Sequence, residues 1–116
     1  MERLLRTDDL VIPQGVDHRI QWPLRGADGS FVPVEGWTAR AQVRKEIADS
    51  EPLVEWTTEN GSLVLLDSSL TLVITASESA AWTWLFGVYD IEVVSATGEV
   101  TRLTQGNVSI SPEVTR

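Results

Sequence analysis

The sequence contains no cysteine, and this single absence removes disulfides, thiolate metal sites and cysteine nucleophiles together. Histidine occurs once, as His18 between Asp17 and Arg19, so a zinc site built from several imidazoles is excluded too. The longest aliphatic run, Leu63-Val64-Leu65-Leu66, is far too short to cross a bilayer as a helix. The opening residues Met1 to Asp9 lack the apolar stretch of a secretory signal, so the expectation is a chain made and folded in the cytosol unless a leader has been removed. Positive charge is scarce: 9 Lys and Arg stand against 17 Asp and Glu, a formal net charge of −8. That sign disfavours nucleic acid, whose phosphates need a basic stripe, and disfavours docking on an anionic membrane.

With 116 residues, 42% of them hydrophobic and 22% charged, the chain suits one domain around one core. The expected domain spans 1–116, with 1–8 as an N-terminal arm and 113–116 as a polar tail. Short alternating runs separated by turn residues dominate, which is the pattern of a sandwich or barrel. Phe86 to Ser95 alternates, Ala96-Thr97-Gly98 turns, and Glu99 to Pro112 returns, predicting a long antiparallel hairpin. Val100, Val108 and Ile110 share one parity there and Leu103 has the other, so either a bulge lies near Arg102-Leu103 or Leu103 covers a different surface.

Upstream, Leu10 to Pro13 predicts a first strand and Val16 to Leu24 a second, with Ile20 and Trp22 on one face. Gly26 to Ser30 reads as a tight turn, followed by an irregular connector to Gly36. The next strand sets Trp37, Ala39, Ala41 and Val43 against Thr38, Arg40, Gln42 and Arg44, and Lys45 to Glu51 reads as a loop. Pro52 to Thr58 predicts another strand. Glu59-Asn60-Gly61-Ser62 predicts an Asn-Gly hairpin into Leu63 to Leu66, and Leu70 to Thr75 alternates again. Ala76 to Trp82 breaks the pattern and predicts one or two helical turns with Ser77 as cap. The expected fold is an all-β, immunoglobulin-like antiparallel sandwich of about eight strands with one short helical turn.

No catalytic constellation stands out. Nothing resembles a Gly-x-Ser-x-Gly elbow, and His18 reads as a surface or turn residue. Asp90, Glu92 and Glu55 could form a carboxylate pair, but Asp90 and Glu92 share a strand parity, which suits a solvated face paired with Arg102 or Arg44. Asp8-Asp9 and Asp28 lack the ligand spacing of a calcium loop. No catalytic, cofactor or metal residue is therefore expected. The sequons at Asn60 and Asn107 read as chance matches. Five tryptophans against one Tyr and two Phe are the unusual feature. Trp22, Trp37 and Trp56 lie at apolar parity and are expected in the core. Trp82 and Trp84 project together if extended, so they are candidate partner contacts, as is Arg116 at the terminus.

The stretches Asp9-Leu10-Val11-Ile12-Pro13-Gln14-Gly15, Gly36 to Arg44, Tyr89-Asp90-Ile91-Glu92-Val93 and Gln105 to Arg116 resemble small virion proteins of tailed bacteriophages, especially those of actinobacterial hosts. The element order is also similar, more weakly, to the N-terminal sandwich of phage baseplate upper proteins. The resemblance implies a non-enzymatic building block, made in the host cytoplasm and located in the virion. Its implied partners are other virion proteins and copies of itself. A tail or baseplate position is favoured over capsid decoration. A carbohydrate-binding module standing on Trp82 and Trp84 is the competing class.

Overall fold

In the computed structural model, which describes residues 6–115, the alternating runs become nine strands and one short helix. In order these are β1 (Arg6–Thr7), β2 (Leu10–Pro13), β3 (His18–Pro23), β4 (Thr38–Arg44), β5 (Val54–Thr57), β6 (Leu63–Leu66), β7 (Ser69–Ile74), α1 (Ala76–Ala80), β8 (Phe86–Val94) and β9 (Val100–Ser111). One sheet runs β5-β4-β8-β9 antiparallel, with β1 and β2 both added in parallel along the free side of β9. The other is antiparallel β3-β7-β6. These neighbours match the B-E-D and G-F-C-C′ sheets of an immunoglobulin-like sandwich. The expected fold class holds, except that the N-terminal strands pair parallel rather than antiparallel.

The inward parity of each strand fills the core. Ala39, Ala41 and Val43 of β4 meet Tyr89, Ile91 and Val93 of β8, while Leu70, Leu72 and Ile74 of β7 come from the facing sheet. Trp56 is wholly buried beside Ala41, whose small side chain leaves room for the ring. Burying an apolar side chain of this size is worth roughly 1.5–3 kcal/mol. The parity conflict in the last strand resolves as a bulge. Ile91 lies opposite Thr104 and Glu92 opposite Arg102, which leaves Leu103 as the extra residue. Both Leu103 and Thr104 are consequently buried.

Two local expectations are corrected, and a tight hairpin forms where none was expected. The Asn60-Gly61 turn does not make a hairpin: β5 and β6 belong to different sheets, so the turn is a corner between layers. The helix cap is Thr75, whose hydroxyl accepts from Glu78 N at 3.1 Å, rather than Ser77. The two-residue hairpin lies at Asp67-Ser68, both with positive φ (50° and 57°), as a type I′ turn needs. Among the terminal residues, Arg6 and Thr7 pair with Thr104 and Gln105, and Glu113 N donates to Gln14 Oε1 at 3.3 Å, so these positions are held by the chain itself. Met1 to Leu5 and Arg116, including the expected contact at Arg116, lie outside the described residues.

The corner has a further consequence. Thr58 N donates to Ala39 O, so alternation turns the main-chain groups of Thr57 and Glu55 outward, along the free edge of β5. Asn60 folds back over that edge. Its Oδ1 accepts from Thr57 N at 3.0 Å and from Ser62 N at 3.0 Å, and its Nδ2 donates to Glu55 O at 3.1 Å. We expect Asn60→Ala to cost about 1–3 kcal/mol in urea denaturation and to increase aggregation, because an edge is uncovered. A loss below roughly 0.5 kcal/mol, the level of an ordinary surface change, would show that the edge is closed some other way.

Candidate functional site

The outer face of the larger sheet carries most of the candidate chemistry. Cross-strand rows place Arg40 beside Glu92 and Arg102, and Gln42 beside Glu55, Asp90 and Gln105. The loop after β4 overhangs this face, giving an open concavity of about 650 Å³ lined by Arg40, Arg44, Glu55, Asp90, Glu92 and Arg102. Asp90 and Glu92 point the same way, as their parity requires. Each is held by an arginine: Arg40 Nε lies 2.9 Å from Glu92 Oε1, and Arg102 Nε 3.5 Å from Asp90 Oδ2. Such solvent-facing pairs contribute about 0–1 kcal/mol each. Arg44, an expected partner of these carboxylates, instead donates to Asp49 O and Gln42 Oε1. Glu55 lines the same concavity. His18 is half-buried at the start of β3, paired with Ile74 and far in the topology from this face. Among the described residues no cluster of three or more His, Cys, Asp or Glu could hold a metal, and no helix is long and apolar enough to cross a membrane.

The most perturbed ionisable group is elsewhere. Tyr89 is buried on the inner face of β8, and its hydroxyl donates to Asp8 O at 2.6 Å. Asp8 Oδ2 accepts from Trp22 Nε1 at 3.2 Å and from Thr104 Oγ1 at 3.0 Å, and lies 3.2 Å from Arg6 Nε. Burial raises the Tyr89 pKa from 10.0 to about 12, reinforced by the negative charges of Asp8 and Asp9 and opposed by the Thr104 hydrogen bond and by Arg6. This node joins both sheets and has a structural role that residue-type patterns did not reveal; Asp8 and Asp9 side by side suggested only a failed calcium loop. Asp9 in fact accepts from Asn107 N at 3.0 Å. Asp28 closes its own turn by accepting from Ser30 N and Ser30 Oγ, which holds its carboxyl below the usual carboxylate range.

No family model and no curated protein matches this chain. The functional reading therefore rests on its own surfaces.

Trp82 and Trp84 do come together, as their spacing suggests, with ring centroids 4.9 Å apart. Their planes are tilted by 31° and both rings are half-buried against the core, so they do not offer one flat shelf to a sugar ring. Gln14 Nε2 reaches the Ser79 and Trp82 carbonyls, and Gly15 N donates to Ser79 Oγ, binding the β2–β3 turn to α1 behind the pair. Trp84 Nε1 is buried without a hydrogen-bond partner among the described residues.

Exposed apolar side chains form two patches that sequence parity did not single out. On the smaller sheet, Phe31 (64% exposed) and Leu66 (62%) border a shallow hollow with Pro23 and Val64. On the larger sheet, Val11 (63%) and Phe86 (71%) flank Ser109 in one cross-strand row. The two patches face away from each other on opposite outer surfaces of the sandwich.

Two measurements check this description. Tyr89 is the sole tyrosine, so its phenolate absorption reports one group, and we expect ionisation near pH 12 in the folded chain. Because the folded pKa lies above the unfolded one, the phenol's contribution to stability is complete below pH 10 and is lost as pH rises from 10 toward 12. An ordinary folded-state titration near 10 would contradict the burial. For Trp84→Phe, the N–H removed has no partner, so denaturant melts should place the variant within about 1 kcal/mol of the parent; a larger loss would mean that the indole nitrogen is bonded.

Proposed function

We propose that this chain is a non-enzymatic structural protein of a tailed-phage virion, a minor tail or baseplate component that assembles through its surfaces and termini. The observation that carries the reading is the pair of apolar patches on opposite outer faces. Exposed apolar side chains gathered on one face of a folded domain suit association. Two such surfaces on opposed sheets suit a block with a neighbour on each side, whereas a ligand-binding domain needs only one. The likeness of Asp9 to Gly15, Gly36 to Arg44, Tyr89 to Val93 and Gln105 to Arg116 to tailed-phage virion proteins supplies the setting. Its partners are then other virion proteins and copies of itself, and its location is the particle.

A glycan-binding adsorption module is less well supported, because the Trp82–Trp84 pair is tilted and half-buried rather than flat and open. Quantitative mass spectrometry of purified particles tests the proposal by copy number relative to the major capsid protein. A handful of copies is expected. A ratio near one would move the chain to capsid decoration, and complete absence from particles would overturn the virion reading.

A further inference from the structure

A sandwich has free edges, and each edge strand here ends differently. On β5, Asn60 occupies the outward main-chain groups. On β3, Leu24 N donates to Ser68 O, so alternation turns Arg19, Gln21 and Pro23 outward: a charge, a polar residue and a residue with no N–H. On β2, Gln14 N donates to Ser111 O, which turns Val11 and Pro13 outward, and Pro13 again has no N–H. Charges, prolines and folded-back side chains are the devices by which edges avoid pairing with other chains.

The edge of β6 has none of them. Val73 N donates to Ser62 O, so Ser62, Val64 and Leu66 face β7, and Leu63 and Leu65 face away. Leu63 is buried, but Leu65 is not, and the register leaves its N–H and C=O on the side of the strand away from β7, with no hydrogen bond to another element among the described residues. The strand holds no charged residue and no proline. Its outward side chains, Val64 and Leu66, continue into the apolar hollow beside Phe31.

We propose that β6 is a docking edge for a second copy of this chain, paired antiparallel across a two-fold axis centred on Leu65. In that register Leu65 exchanges two N–H···O=C bonds with its symmetry mate. Val64 of each copy then lies opposite Leu66 of the other, in the non-hydrogen-bonded positions where side chains approach most closely. The three-residue stretch is thus complementary to itself, and the two small sheets become one of six strands. The net charge of −8 on each chain opposes self-association, and because this strand carries no charge that opposition is confined to longer-range repulsion, which salt screens. A short edge with a small apolar strip stays below the roughly 1,000 Å² of a firm complex, so the pairing is weak, concentration-dependent and strengthened by salt.

The inference deepens the assembly reading by naming one partner, and it rests on that reading only for its biological setting. Sedimentation equilibrium of the purified chain, from about 10 μM to about 1 mM at low and high salt, tests it. The expected result is a monomer at the dilute end and a rise toward dimer, earlier at high salt. Leu66→Lys and Val64→Lys, both at exposed positions, are expected to abolish the rise while leaving the thermal melt unchanged. Amide exchange on the parent chain gives a readout that needs no variant: the Leu65 N–H is expected to slow at least about tenfold at the concentrated end. A monomer throughout, a dimer that survives both lysine variants, or open polymers without a dimer plateau would each overturn the proposal. Particle mass spectrometry is indifferent to that outcome, so a failure here is separable from a failure of the virion reading.

Discussion

The carboxylate of Asp8 is the interaction on which the arrangement of layers depends. It receives the indole N–H of Trp22 from the smaller sheet and the hydroxyl of Thr104 from the larger one, while the carbonyl of the same residue receives Tyr89. Trp22, Thr104 and Tyr89 are all buried, so without Asp8 the Trp22 indole N–H would be left away from water without a partner, and the Tyr89 and Thr104 hydroxyls would have only each other at 3.4 Å. Each such group costs about 1–3 kcal/mol, against a typical total stability of 5–15 kcal/mol. The node also needs a gap in β9. Gly106 lies opposite Tyr89, and any Cβ at that position would overlap the Asp8 carbonyl. A glycine there lets the first strand come close enough for the tyrosine to reach it.

The bulge at Leu103 serves the same node. An uninterrupted strand would send either Leu103 or Thr104 to solvent, but the extra residue turns both inward. Leu103 then fills the core and Thr104 reaches Asp8. From this point β1 and β2 run parallel along β9 as far as Ser111, and the edge of the larger sheet is occupied by the chain's own N-terminal segment. The hairpin, the bulge, the glycine and the aspartate are therefore one device for attaching the first strand.

Much of this was legible from residue order, and the failures have physical causes. Alternation located the strands because one face of each is buried, and the parity slip at Leu103 left a bulge or a second covered surface as alternatives, of which the bulge is the one that forms. The Asn60-Gly61 signal misled because a tight turn has the same local chemistry whether the next strand pairs with the last one or crosses to the other layer. The true hairpin at Asp67-Ser68 carries no glycine, so nothing in its composition advertised two positive φ angles. Parallel attachment of β1 and β2 was invisible since partners about a hundred residues apart leave no turn between them. On the outer face, the carboxylates of Asp90 and Glu92 were correctly placed together, but their arginine partners depend on register: Arg40 stands directly across from Glu92, and Arg44 is two rows away.

Strand allocation then explains where the molecule is open. Because β1 and β2 both join β9, the larger sheet reaches six strands and the smaller one is left with three. In the larger sheet the middle of the outer face is polar, its charges largely neutralise one another in Arg40–Glu92 and Arg102–Asp90 pairs, and the most exposed apolar side chains of its strands are Val11 and Phe86. In the smaller sheet only β7 is paired on both sides. Its β3 edge is protected by charge and proline, which leaves unmet hydrogen-bonding capacity concentrated at Leu65, beside the apolar side chains of Val64 and Leu66. A main-chain donor and acceptor can be satisfied by water, and an apolar strip can remain wet at modest cost. Both together on one uncharged edge favour an added strand over solvent, because pairing satisfies the polar groups and removes the apolar strip from water in the same step.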